Sequence, residues 1–507
     1  MNTTVLLSFV LGYFMLLLLV AYFTSKKSNN ESFFIGNRNS NWMLVAFGMI
    51  GTSLSGVTFV SVPGLVGSIG FQYFQIVIGY FLGYLVVAYA LLPLYYKLQL
   101  TSIYTYLKER IGIKSYKTGS MFFIISRTLG ATARLYLVVN ILQLFILDRI
   151  GIPFWLTTLI ILSLILLYTV EGGVKTIVYT DTLQTTFMLL GLVMCIIAIL
   201  NNLDISFSNS YAQMKDLKLT RVFNTDYKAS GFFLKQIIGG AFITIAMTGL
   251  DQEMMQKNIS VSNLKNSQKN MLTYSTVLVF INFLFLMLGG CLFLFAAQNG
   301  ISITGDDLFP TVALGGKLVA AISILFIIGL ISALFPSADG ALTALTSAFC
   351  IDILGIKNNT NTTEKQQKTK RRWVHLYFAI TFFICVMVFK WIDDKSIIDI
   401  ILKLAGYTYG PLLGLFIYGI YTKRTILDKL VPIICITAPL IVLVLDIVNN
   451  ADWFIKKLKL TGSVAENLMT LSTSVFNGYK IGVELLVING LVTFLMLFFF
   501  SRKVSSI

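Results

Sequence analysis

Residues 42–74, WMLVAFGMIGTSLSGVTFVSVPGLVGSIGFQYF, are apolar enough to enter a lipid bilayer, yet small and helix-breaking residues interrupt them. An unbroken helix in lipid satisfies its own backbone and has no need of such residues. A helix that unwinds at mid-membrane exposes carbonyl and N–H groups that can hold a cation and an anion. The stretch therefore predicts a broken helix with a binding site at the break. The interrupting residues are Gly48, Gly51, Gly56, Pro63, Gly64 and Gly67, and hydroxyls come from Thr52, Ser53, Ser55, Thr58 and Ser61.

The composition places the chain among membrane proteins. Of its 507 residues, 56% are hydrophobic and only 12% are charged, unlike a soluble domain. A membrane-spanning helix needs about 20 apolar residues, and we expect about thirteen such helices, the first of them retained. We therefore predict an all-α polytopic membrane protein whose residues 1–507 form a single transmembrane transporter domain. Spans 1 to 13 are predicted at 3–24, 42–64, 71–95, 118–147, 153–170, 176–200, 231–255, 271–297, 317–350, 373–392, 397–421, 430–449 and 478–500.

The net charge of +16 is distributed as in a membrane protein. Alternate loops hold 23 of the 39 Lys and Arg residues, which is the positive-inside pattern. It predicts a plasma (inner) membrane protein with its N-terminus outside and its C-terminus in the cytoplasm, and it argues against a nucleic-acid partner. The only histidine, His375, is expected at the cytoplasmic end of span 10. The basic loops are 25–40, 96–117, 171–175, 256–270, 355–372 and 422–430, with the tail at 502–503.

Among the ionisable residues inside predicted spans, four are candidates for the functional site. Arg127 and Arg134 are seven residues apart and share one face of span 4, Asp181 lies early in span 6, and Asp339 follows Pro336 in span 9. An ionisable group in a membrane is costly and is a functional-site hypothesis by default. Simpler roles stay open: a structural ion pair or snorkelling towards an interface for either arginine, and a helix N-terminal contact for Asp181.

Span 7 is a second interrupted stretch. Gly239, Gly240 and Gly249 punctuate it, and Asp251 follows. The two interrupted spans are five apart, as expected for an inverted repeat of spans 2–6 and 7–11. Repeat one would cover about 42–200 and repeat two about 231–421, with extra helices at 3–24, 430–449 and 478–500.

Six motifs together resemble those of the sodium:solute symporter family. The first two are most similar to the branch of iodide, monocarboxylate and multivitamin symporters. The resemblance implies a LeuT-type 5+5 inverted repeat with an extra N-terminal helix, and cotransport driven by a sodium gradient. The motifs are GTSLSGVTFVSVPG (51–64), LPLYYKLQLTSIYTYLKERIG (92–112), YTVEGGVKTIVYTDTLQ (168–184), GLDQEMMQKNISVS (249–262), SALFPSADGALTALTSAFCID (332–352) and GPLLGLFIYGIYTKR (410–424).

The resemblance implies a sodium site between the break of span 2 and span 9. Its ligands would be the carbonyls of Gly51, Leu54 and Ala333 and the hydroxyl of Ser337. The family usually has a serine where Pro336 stands, so one hydroxyl ligand is missing here.

A second sodium site in some members uses the aspartate that matches Asp181, with hydroxyls from span 9. Asp339 stands at one of those span 9 positions. We hypothesise that Asp181 and Asp339 share a cation. Two carboxylates in a low dielectric also favour retention of a proton, so a proton is the alternative coupling ion.

The resemblance places the solute between spans 2, 3, 4, 7 and 11. Some members bind a carboxylated sugar with an arginine of span 4, so Arg134 and the freed N–H groups of span 2 predict an anionic solute. Asp251 leaves three roles open: binding sugar hydroxyls, pairing with an arginine or capping the unwound segment. The predicted solute-binding residues are Ser53, Ser55, Gly56, Thr58, Gln72, Arg134 and Asp251.

These observations predict a sodium-coupled secondary active symporter that imports a sialic-acid-like sugar acid or a monocarboxylate by alternating access. The alternative is a proton-coupled transporter, or one for a sugar, amino acid or vitamin, on the same fold. The sequence contains no HExxH motif, Ser/His pair or metal-ligand cluster, so an enzyme is not expected. We expect no cofactor beyond Na⁺ as coupling ion, and the partners would be the solute, Na⁺ and the lipid bilayer around a monomer.

Overall fold

The computed structural model describes residues 3–25, 30–356, 363–392 and 397–503, and this part of the chain is almost entirely helical. No strand forms within these ranges. Two isolated bridges, Ser40 to Val261 and Thr425 to Arg502, are the extended pairings. Both join segments near helix ends, so the architecture rests on helix packing.

Each of the thirteen predicted spans contains helix, although several are divided. Spans 5 and 6 form one continuous helix with a kink at Gly173, whose φ of 52° is in the left-handed region that favours glycine. The helices, in order of spans 1 to 13, are Thr3–Ser25; Trp42–Ser53 with Gly56–Ile69; Tyr73–Val86 with Val87–Leu91 and Leu92–Lys97; Ile113–Leu147; Phe154–Leu203, counted as two; Phe233–Gly249 with Gln252–Ile259; Leu264–Gln298; Ala320–Ile353; Glu364–Ile392; Ile397–Thr408 with Gly410–Tyr421; Val431–Asn449; and Leu485–Phe499.

Eight described helices are long and apolar enough to cross a membrane, or nine if the bent pair in span 7 counts as one. Four shorter apolar helices, Trp42–Ser53, Phe154–Val170, Gly410–Tyr421 and Leu485–Phe499, lie in other predicted spans. The difference from thirteen has a structural reason, because breaks divide spans that the sequence presents as continuous apolar runs. Span 13 also begins later than predicted, at Leu485 rather than at 478.

Span 2 unwinds at Leu54 and Ser55. Leu54 has φ −85° and ψ 70°, and Ser55 has φ −67° and ψ 172°, so neither is helical. Leu54 N–H still donates to the Ile50 carbonyl, and Phe59 N–H donates to the Ser55 carbonyl. No N–H of the described residues donates to the Leu54 carbonyl across this break. The predicted interruption is therefore present, with carbonyl oxygen left for another partner.

The second break, in span 7, is satisfied by the protein itself. The two helices meet at 64°. The Gly249 carbonyl accepts a hydrogen bond from Tyr95 Oη at 2.8 Å, and the Leu250 carbonyl accepts one from Tyr104 Oη at 2.9 Å. Asp251 Oδ1 accepts from the N–H groups that begin the next helix. The two breaks thus differ. At the second break, side chains of the protein form hydrogen bonds with the freed backbone groups, which a ligand would otherwise bind.

The expectation that His375 lies at an interface is wrong. Its side chain is 1% exposed. Its two ring nitrogens bond the hydroxyls of Thr169 and Thr346, both at 2.8 Å. Burial is possible because both polar atoms of the ring find partners.

Spans 3 and 7 approach so closely that their backbones touch through glycine. A Cβ on Gly79 would lie 3.0 Å from the backbone nitrogen of Ala241 and would overlap the carbonyl of Ile237. Gly240 faces back towards Gly79 across the same contact. Small residues of this kind let membrane helices pack backbone to backbone.

We expect Gly79→Val to lower the thermal stability of the detergent-solubilised protein, because the new side chain has only backbone to displace. Overpacking of this kind costs about 1–3 kcal/mol. Gly12→Ala is the matched control, since a Cβ there meets nothing within 4 Å. Thermal unfolding monitored by tryptophan fluorescence checks both, and equal midpoints for the two variants would contradict the packing described.

Candidate functional site

A cavity of about 130 Å³ lies beside the break in span 2. Four predicted solute-binding residues line it: Ser53, Ser55, Thr58 and Arg134. Gly56 lies at the start of the helix after the break, where a Cβ would overlap Val138 of span 4. The missing side chain therefore lets the break approach the helix that carries Arg134.

Two other predicted solute-binding residues are not in the cavity wall. Gln72 lies in the short turn before span 3, and its carbonyl accepts a hydrogen bond from Gln75 Nε2 at 2.9 Å. Asp251 caps the second half of span 7 and also accepts a hydrogen bond from Tyr409 Oη at 2.7 Å. Of the three roles left open for Asp251, these contacts match the cap, and the carboxylate also lies within ion-pair distance of Arg127.

The two arginines of span 4 have different environments. Arg127 is buried, forms an ion pair with Glu253 and lies 3.9 Å from Asp251. It therefore has the structural ion pair that was one of its predicted roles. Arg134 also lines the cavity, but it forms no hydrogen bond or ion pair with another described residue. A guanidinium carries five donors, so Arg134 is available to an anion.

The cavity also contains a row of hydroxyl groups that the sequence analysis missed. Tyr84 Oη lies 2.6 Å from Tyr274 Oη, which in turn contacts Ser53 Oγ. Tyr73, Tyr80 and Tyr84 line the cavity from span 3. Their spacing of seven and then four residues puts them on one helix face. That spacing was visible in the sequence and could have identified them.

The structure packs the break of span 2 against span 9, the two segments that carry the predicted sodium ligands. A Cβ on Gly51 would lie 3.5 Å from Pro336 Cγ, so the break and span 9 are in contact. Ser337 is fully buried, and its hydroxyl donates to the Leu334 carbonyl at 2.7 Å. A hydroxyl that donates one bond keeps lone pairs for a cation. Backbone carbonyls and this hydroxyl suit a hard cation such as Na⁺, and Ala333 is buried in the same turn of span 9.

The second predicted cation site is arranged differently. Asp181 Oδ2 lies 2.6 Å from Lys257 Nζ and 3.2 Å from Thr52 Oγ1. Asp339 instead accepts hydrogen bonds from Tyr168 Oη at 2.7 Å and from the N–H of the next residue. The two carboxylates therefore share no donor. No group of three or more His, Cys, Asp and Glu side chains that could hold a metal ion occurs within the described ranges.

Lys257 is the important residue that the sequence analysis misplaced. It was counted among the basic residues of a cytoplasmic loop at 256–270, but its side chain is only 3% exposed. The helix restarted by Asp251 continues to Ile259, so position 257 lies on a buried helix and not in the loop. The capping pattern of Asp251 in the sequence was the signal that helix continues beyond the break.

Lys257 completes a buried chain of alternating charges. Arg127 pairs with Glu253, Glu253 Oε1 lies 3.7 Å from Lys257 Nζ, and Lys257 pairs with Asp181. The chain connects spans 4, 7 and 6. Two positive and two negative charges balance, which is how buried ionic groups are tolerated.

The family profile described as "Sodium:solute symporter family" matches residues 33–427. The chain belongs to the sodium:solute symporter family. Its curated relatives include the sodium/sialic acid symporter SiaT of Proteus mirabilis, 24% identical over 77% of this chain and 78% of that protein. The human sodium/iodide cotransporter is 25% identical over 47% of this chain and 36% of that protein.

Solved structures confirm the fold. A substrate-bound, outward-open Na⁺-coupled sialic acid symporter superposes with a TM-score of 0.80 at 20% identity, over 98% of this chain and 99% of that one. A manganese transporter of Eremococcus coleocola superposes with a TM-score of 0.51 at 16% identity, over 91% of this chain and 96% of that one. The predicted LeuT-type fold is therefore correct, and this family member is an integral membrane transporter and not an enzyme.

We expect Glu253→Ala to destabilise the protein strongly, because it leaves Arg127 buried without its pair and removes one neighbour of Lys257. Breaking a buried ion pair from one side costs about 3–5 kcal/mol. Asp452→Ala is the control, because its pair with Lys480 is exposed and such pairs contribute about 0–1 kcal/mol. Thermal unfolding in sodium-free buffer compares them, and a Glu253→Ala midpoint as high as that of the control would contradict the structural role.

Proposed function

We propose that this chain is a sodium-coupled symporter that imports a small anionic organic solute, either a monocarboxylate or a sialic-acid-like sugar acid. It would work as a monomer in the plasma (inner) membrane, with its N-terminus outside and its C-terminus in the cytoplasm. The basic loops of the sequence support that orientation.

The observation that carries the proposal is that the Arg134 side chain has no bonding partner among the described residues. Its guanidinium lines the cavity and has no ionic or hydrogen-bonding partner among the described residues. A charge inside a membrane protein is costly unless a partner compensates it. A solute carboxylate would supply that partner through a bidentate pair, and the neighbouring hydroxyls of Ser53, Tyr84 and Tyr274 would bind further polar groups of the solute.

The size of the cavity favours the smaller of the two solute classes in this conformation. Its 130 Å³ is close to the cavity of about 150 Å³ that accommodates benzene in another protein. A small monocarboxylate is in that range. A sugar acid is larger and would require the cavity to widen, as alternating access allows. The relatives named for sialic acid and iodide both transport anions.

The sodium site supports coupling. Sodium at the carbonyls of Gly51 and Leu54 and at Ser337 would hold the broken span 2 against span 9. It would thereby fix the orientation of Ser53 and Ser55, which line the solute cavity. Binding of each ligand would then favour the other, because coupling between two sites is reciprocal. Rocking of one helix bundle against the other would expose both ligands to the cytoplasm.

Asp339 favours one alternative, a proton-coupled transporter. It is fully buried, and it has no ion pair among the described residues; a hydroxyl and a backbone N–H bond it instead. A buried carboxylate without a cation is the kind of group that carries protons in pumps and transporters. Uptake driven by a pH gradient in sodium-free medium would select this alternative.

We expect Arg134→Ala to raise the KM for the anionic solute by about tenfold to a hundredfold, because a hydrogen bond to a charged group contributes about 1.5–3 kcal/mol. Lys117→Ala is the control, since Lys117 is an exposed lysine on the same helix. Labelled pyruvate and sialic acid would be tested as solutes in proteoliposomes under an inward sodium gradient. Uptake unchanged by Arg134→Ala would remove this residue from the solute site.

A further inference from the structure

The ammonium group of Lys257 contacts Asp181, the carboxylate at which the family resemblance placed a second sodium ion. Its Nζ is 2.6 Å from Asp181 Oδ2, 2.6 Å from Thr52 Oγ1 and 3.7 Å from Glu253 Oε1. These oxygens come from spans 6, 2 and 7. A carboxylate and a hydroxyl from different helices are also the ligands that a hard metal cation would use. The lysine therefore occupies Asp181, the carboxylate of the predicted site.

We propose that Lys257 is a tethered cation that fills this position, so that no free sodium ion binds at Asp181 in this chain. The inference rests on the proposed function, because it limits how many sodium ions can take part. An ammonium group has three donors and no acceptor, so it offers nothing to a neighbouring cation. A second positive charge in the same low-dielectric site would be repelled.

The charges around Lys257 agree with a site that is already balanced. Glu253 on the same helix is paired with Arg127 of span 4, and Asp181 of span 6 is paired with Lys257. Both carboxylates that contact Lys257 therefore already have a cationic partner. Asp251 and Asp339 are further buried carboxylates nearby. Tyr409 and two backbone N–H groups bond Asp251, and Tyr168 and a backbone N–H bond Asp339.

Unlike a bound sodium ion, a tethered cation is not transported and cannot drive the uptake of solute. The charge of Lys257 stays on the helix Gln252–Ile259, so it never crosses to the cytoplasm and draws nothing from the sodium gradient. It still holds spans 2, 6 and 7 together, as an ion at this position would. Lys257 would therefore hold the helices together as a second sodium ion does. The chain would cotransport one sodium ion fewer than a family member that binds two.

The test is to count sodium ions bound per molecule of the purified full-length protein, by equilibrium binding of ²²Na⁺ in detergent. We expect Lys257→Met to bind one sodium ion more than the unmodified chain. In that variant Asp181 Oδ2 and Thr52 Oγ1 lose the ammonium, and Asp181 Oδ1 already has no hydrogen-bond partner among the described residues. The same count for folded Lys257→Met and the unmodified chain would overturn the proposal.

A double variant keeps the test decisive where the single variant does not fold. Lys257→Met with Asp181→Asn removes both charges together, which is milder than leaving one of them unpaired. We expect it to bind as many sodium ions as the unmodified chain. One ion fewer would show that Asp181 holds sodium in the unmodified chain, and the proposal would be wrong.

The same counts separate this inference from the proposed function. If the unmodified chain and the double variant bind no sodium while Lys257→Met binds one, Lys257 is the tethered cation and sodium coupling fails. If the unmodified chain binds sodium and the double variant binds one ion fewer, sodium coupling stands and the tethered cation fails.

Discussion

A membrane helix that unwinds at Leu54 and Ser55 leaves backbone groups that lipid cannot satisfy, and the arrangement around this break follows from that constraint. Gly56 lets span 4 approach the break, and span 9 meets it from another side at Pro336. Hydroxyl groups surround the cavity that results. The second break shows the contrast, because tyrosine hydroxyls and Asp251 satisfy its backbone. At the first break, by contrast, no N–H group of the described residues donates to the Leu54 carbonyl.

The buried charges fall into two groups. In the closed part each charge has an oppositely charged neighbour, and in the open part the charges have none. The closed part is the chain from Arg127 through Glu253 and Lys257 to Asp181, in which each charge has an opposite neighbour. The open part includes Arg134 in the cavity wall and Asp339 in span 9, which have no ionic partner among the described residues. Charges with partners hold helices together, whereas charges without them are where a transported anion or cation gains most by binding.

The sequence predicted the features that depend on local pattern. Glycines and hydroxyls predicted the break in span 2, and the resemblance to the family predicted Arg134 as a ligand for an anion. The misplaced residue, Lys257, could not be found in that way, because its partner Asp181 is 76 residues away in the chain and only the packing of spans 6 and 7 brings them together. Tyr274 was missed for the same reason. For Asp251, the cap and the nearby arginine become visible only in the structure, where Arg127 of span 4 lies 3.9 Å away.

The most direct test of the account is the effect of sodium on solute affinity, measured on the purified protein without any gradient. Isothermal titration with pyruvate and with sialic acid would be done in sodium chloride and in choline chloride at equal ionic strength. If sodium organises the break of span 2 around the solute, the Kd of the transported acid falls in sodium by about 5- to 150-fold, the usual range for coupled sites. Equal Kd values in the two salts would contradict the claim that one break serves both ligands.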